Sequence, residues 1–97
     1  MYATIRKYSV TPGTVGELKR KIDEGFIPII NSTDGFVGYH LIDAGNDKLA
    51  TISIFQSQVG ADESNRRAAD WVKQNIASFV TSPVEITAGE MLLNHPS

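Results

Sequence analysis

Two runs, Phe36-Val37-Gly38-Tyr39-His40-Leu41-Ile42-Asp43 and Leu49-Ala50-Thr51-Ile52-Ser53-Ile54-Phe55-Gln56, flank the reversal Ala44-Gly45-Asn46-Asp47 and decide the architecture. The second run sets Ala50, Ile52 and Ile54 against Thr51, Ser53 and Phe55, which is the two-residue period of a strand. The first is rich in aromatic and aliphatic residues and follows the turn signal Asp34-Gly35. So short a connection makes the pair a hairpin.

Upstream, Val15, Leu18, Ile22, Phe26, Ile29 and Ile30 recur at helical spacing and form one apolar stripe. Thr14 and Glu17 have the spacing of a capping box at its start. Pro28 predicts a kink or break near residues 25–27, because proline removes a helical hydrogen bond and clashes with the preceding turn. Before it, Tyr2 to Val10 alternates as a strand and is closed by Thr11-Pro12-Gly13. Downstream, Gly60 to Val80 returns to helical spacing, with Asp62 or Ser64 as cap and Ser82-Pro83 as stop. Val84 to Asn94 has room for a last strand.

The order is βαββαβ. In 97 residues this predicts a single ferredoxin-like α+β domain, 1–97, with a four-stranded antiparallel sheet and two helices on one face. A chain of this size can bury about 64% of its surface, enough to fold without staples. With no cysteine, disulfide scaffolds, thiolate zinc sites and a cysteine nucleophile are excluded. A net charge of −2 lacks the excess positive charge that phosphate backbones attract, so nucleic acid is not an expected partner. The apolar cluster at residues 26–30 is too short to span a membrane, and residues 1–10 do not read as a signal peptide. A cytoplasmic protein is the expectation.

Two helices cover one face of such a sheet, so the other must be wet, bind a ligand or meet a partner. Assigning the aliphatic sets Ala3, Ile5 and Ala50, Ile52, Ile54 to the helices leaves Tyr2, Thr4, Arg6, Tyr8, Thr51, Ser53 and Phe55 on the open face. For the first hairpin strand, Val37, Tyr39 and Leu41 are assigned to the core, with Phe36, Gly38, His40 and Ile42 on the open face. So mixed a surface predicts a homodimer closed through it.

The element order, the segment Gly35-Phe36-Val37-Gly38-Tyr39, and Ile52-Ser53-Ile54-Phe55-Gln56-Ser57 leading into an alanine-rich helix resemble the antibiotic biosynthesis monooxygenase-like family across essentially the whole chain. The resemblance implies a dimeric α+β barrel. Its members include cofactor-independent monooxygenases of aromatic polyketides, haem-degrading relatives and proteins with no assigned reaction. Of the haem-degrading branch's pattern, the first-strand asparagine is replaced by Arg6 and the third-strand tryptophan by Phe55. Glu63-Ser64-Asn65-Arg66 stands where many members place a histidine. No haem is therefore implied, and no other cofactor.

What the resemblance leaves is a pocket for a small aromatic or polyketide-type compound, with monooxygenase-like or isomerase-like chemistry. His40 is its candidate base and Arg6 the stabiliser of the resulting anion, with Tyr8, Phe55, Asn65 and Trp71 as substrate-binding residues. Each has a plainer alternative. His40 can be an interface histidine, Arg6 can pair with Glu85 or Glu90, and Trp71 can seal the core. His40 and His95 have no metal-ligand spacing. The competing reading of the whole chain is a non-catalytic homodimer that binds a small ligand or fills its cleft with its own side chains.

Overall fold

The computed structural model describes residues 1–95. Strand β1 (Tyr2–Ser9) is followed by helix α1 (Val15–Lys21), which runs through a π-helical turn at Ile22–Phe26 into α2 (Ile27–Asn31). The hairpin strands are β2 (Phe36–Gly45) and β3 (Lys48–Phe55). Helix α3 (Gln58–Asn75), a 3-10 turn at Ala77–Phe79 and β4 (Glu85–Glu90) complete the chain. The sheet is antiparallel in the order β2-β3-β1-β4, the α+β ferredoxin-like arrangement.

Local chemistry explains the joints. Gly45 pairs with Lys48, so the hairpin loop is Asn46-Asp47, both at positive φ (53° and 59°) as a tight two-residue turn demands. Pro28 does not break the first helix. The chain widens into the π turn just ahead of it, where the Ile27 N–H reaches back five residues to Ile22 O, so the helix continues. The capping box does not form: the Thr14 hydroxyl donates backward to Thr11 O at 2.6 Å. Helix α3 starts earlier than expected, after an extended Ser57, which leaves Asp62 and Ser64 inside it. It also ends sooner, at Asn75, where Ile76 leaves helical geometry.

The larger correction concerns the two faces of the sheet. Register pairs Thr4 with Ser53, Arg6 with Thr51 and Tyr8 with Leu49, and all six of these residues are buried beneath the helices. The aliphatic sets, Ala3 and Ile5 with Ala50, Ile52 and Ile54, lie on the uncovered side. A bulge in β2 between Phe36 and Gly38 inserts Val37, which is exposed. It brings Phe36 onto the same side as Tyr39 and Leu41. Gly38, His40 and Ile42 keep their place on the open face. Alternation located the strands, but hydrophobicity did not choose the face, because the small hydroxyls of Thr4, Thr51 and Ser53 let α3 come close to the sheet.

Two apolar clusters hold the layers together. Ile22, Phe26, Ile30, Phe55, Ala61 and Ala68 form one; Tyr8, Val10, Leu18, Leu49 and Ile76 form the other. Burying side chains such as Leu18 and Ile30 contributes about 1.5–3 kcal/mol each. Gly60 permits a close approach: a Cβ there would sit 2.7 Å from Asp34 O and 3.2 Å from the Phe55 ring. Among the described residues no helix is long and apolar enough to cross a membrane.

Candidate functional site

The space between sheet and helices is where charge and apolar surface meet. Arg6 is 6% exposed, yet no carboxylate lies within ion-pair distance among the described residues. Its Nη2 donates to Asn65 Oδ1 at 3.0 Å and to Asn65 O at 3.4 Å. Neither anticipated partner is taken: Glu90 holds the amino terminus at 3.2 Å, and Glu85, which pairs with Lys7, lies on the other face. A buried cation without a counter-charge costs stability. Thr4 Oγ1 and Ser64 Oγ, sealed in the same layer, also lack a hydrogen-bond partner among the described residues.

Arg6 and Tyr8 line two adjoining spaces. The inner one, reaching to Phe26, Tyr39, Thr51 and Trp71, is about 20 Å³, room for roughly one water. The outer one is a groove of about 370 Å³ between α3 and the β1–β4 edge, walled by Ala69, Val72, Val84 and Ile86, with Lys73 at its rim. A second groove of about 420 Å³ opens on the opposite side, between α1 and β2, and shares Ile22 and Tyr39 with the inner space. Trp71 packs against Phe26 (5.6 Å between ring centroids) and over Gly25, where a Cβ would stand 3.1 Å from the indole. Its placement combines sealing the core with lining the inner space.

Of the residues singled out from the sequence, Arg6, Tyr8, Asn65 and Trp71 come together here. Phe55 is 0% exposed and lines none of these spaces; it stacks edge-on to Phe36 at 5.7 Å. His40 pairs in register with Ile52 on the far side of the sheet, so the chain does not bring His40 and Arg6 together. Lys73 was missed, although Asn65, Ala69 and Lys73 recur at i, i+4, i+8 and so share a helix stripe. Tyr39, assigned to packing, contributes to the inner space as well.

Electrostatics keep both phenols neutral. Burial pushes the Tyr39 hydroxyl far above its ordinary value of 10.0, with the neighbouring Tyr8 adding to the rise and a hydrogen bond with Thr51 opposing it. Burial likewise raises Tyr8, against the pull of Arg6. Above pH 10 the tyrosines of the unfolded chain therefore ionise while the fold holds Tyr39 protonated and resists ionisation of Tyr8. The tyrosine contribution is constant below pH 10 and is lost above it, by about 1.4 kcal/mol per pH unit for Tyr39. Urea denaturation at pH 8 and pH 11 measures this. Tyr39→Phe should shrink the loss, and an unchanged loss would contradict the assignment.

Elsewhere, a wide depression of about 1100 Å³ lies beside the first turns of α3, but Arg66 and Arg67 there are both bound by Glu63. Their hydrogen bonds, Arg66 first, hold the Glu63 carboxyl below its usual range. No cluster of three potential metal ligands occurs among the described residues.

These features define a class: an α+β sheet with helices on one side and a cleft between the layers. No family model and no curated protein matches the chain by sequence. Among solved structures, a protein of unknown function from Nitrosomonas europaea superposes with TM-score 0.82 at 18% identity, over 99% of this chain and 93% of that one. A provisionally designated antibiotic biosynthesis monooxygenase from the same organism gives 0.77 at 13%, over 96% and 100%. A variant of SnoaB, a cofactor-independent oxygenase from Streptomyces nogalater, gives 0.77 at 10%, over 99% and 97%. The fold is thus the antibiotic biosynthesis monooxygenase-like one.

Proposed function

We propose that this protein is a small enzyme of the antibiotic biosynthesis monooxygenase kind. It is a cofactor-independent oxygenase for a small aromatic or polyketide-type compound, held between helices and sheet. The observation that carries this reading is the Arg6 guanidinium, buried without a counter-charge where the inner space meets the groove. A cation in a site of low polarity favours the enolate or phenolate of a bound substrate, the electron-rich form that reacts with dioxygen. With anthrone as substrate, the enolate forms in solution by loss of a methylene proton to water and is captured beside Arg6; there it gives one electron to dioxygen, and the carbon radical and superoxide combine as a peroxide. One oxygen atom stays as the new ring carbonyl; the other leaves as water with the two hydrogens of the former methylene. Asn65 fixes Arg6, while Tyr8 and Tyr39 supply neutral donors. His40, behind the sheet, has no part in this cleft.

The protein works, in this proposal, as a homodimer through the open face. Support comes from the row Ile5, Ala50, Ile52 and Ile54, an aliphatic surface that a second copy can cover. A second reading, a non-catalytic small-ligand-binding dimer, is favoured by the absence, among the described residues, of any carboxylate or imidazole on the inner space and the groove beside Arg6.

Oxygen uptake with anthrone separates the two. Turnover by the wild-type protein, lowered about 100-fold in Arg6→Met, is the expected result. Absence of uptake, or uptake indifferent to the substitution, overturns the enzymatic reading.

A further inference from the structure

We infer that the cleft is a receptor for an acid that arrives already ionised, a carboxylate or strongly acidic enol joined to an apolar body. This rests on the reading of the cleft as a small-molecule site. Among the described residues the groove beside Arg6 contains two cations, Arg6 at the floor and Lys73 at the rim, and no acidic side chain or histidine. Its polar groups are overwhelmingly donors. The Arg6 fork has bonds only to Asn65 among the described residues, and accepting them commits Asn65 Oδ1, so its amide N–H₂ is left to donate. Tyr8 stays protonated. A ligand group that only accepts, and carries the missing negative charge, matches this set; a carboxylate does both. Nothing in the groove can take a proton from a neutral ligand, so ionisation precedes entry. The opposing wall is apolar, Ala69 and Val72 facing Val84 and Ile86, which fits a flat hydrocarbon body.

Calorimetry at pH 7.5 with 2-naphthoate and its neutral isostere 2-naphthamide tests this on the wild-type protein. Naphthoate should bind at least about tenfold more tightly, since a charge-assisted hydrogen bond is exchanged for a neutral one beside an uncompensated cation. Asn65→Asp provides a second test that does not remove the arginine. A carboxylate built in beside Arg6 should raise the melting temperature and abolish naphthoate binding. Equal affinity for the two naphthyl compounds, or undiminished naphthoate binding by Asn65→Asp, overturns the inference while leaving the cleft a binding site. Failure of both compounds to bind the wild-type protein overturns the cleft reading and this inference together.

Discussion

Phe55→Ala is expected to lower stability by about 3–5 kcal/mol, the cost of losing a fully buried phenyl ring and leaving a cavity. The ring is 0% exposed, meets Phe36 edge-on at 5.7 Å and lies against the Gly60 backbone. Little can relax into the hole: Gly60 is already held close to Asp34 O, and the β2 bulge fixes Phe36. Because Phe55 lines neither the inner space nor the groove, naphthoate affinity of the molecules that remain folded should be unchanged. Urea denaturation followed by circular dichroism measures the effect. A loss below about 1.5 kcal/mol would place the ring outside the centre of the core.

Ile52→Glu should separate the proposed dimer into folded monomers. Ile52 is registered between Ile5 and His40 on the open face, near the centre of the aliphatic row. In a monomer a glutamate there still reaches water, so the fold survives. Against a second copy it would bury an unpaired charge, an effect of several kcal/mol, which weakens association by a hundredfold or more. Sedimentation of both proteins at the same concentrations reads this directly. A monomeric wild-type protein, or a dimeric Ile52→Glu, would remove the open face as the interface.

The alternation in Thr51-Ile52-Ser53-Ile54-Phe55 and the stripe from Val15 to Ile30 made the element order legible, because periodicity is written locally. The choice of sheet face was not. It turns on which side chains let α3 approach, and Thr4, Thr51 and Ser53 do so because they are small, although hydropathy favours Ile5, Ile52 and Ile54. A one-residue bulge at Val37 then moved Phe36 to the helix side, a displacement that composition does not register. The candidate site was half legible for the same reason. Arg6, Tyr8, Asn65 and Trp71 converge, since three of them point into the layer that the helices cover and the fourth, Asn65, bonds to Arg6. His40 and Phe55 do not join them: one stands behind the sheet, and the other is consumed by packing. Lys73 was hidden because its role depends on the β4 edge lying opposite it.

In the proposed arrangement ligand chemistry takes place on the helix side of the sheet, while the open side serves contact between copies. Trp71 is the only tryptophan, so its indole N–H gives a single resolvable proton signal, and the His40 ring protons report from the opposite face. Titrating 2-naphthoate into the isotope-labelled protein should shift the Trp71 indole and the amides of Arg6 and Asn65, with the His40 ring signals unmoved. Shifts at His40 and Ile52 with a silent Trp71 indole would put the ligand on the other face and overturn the helix-side assignment.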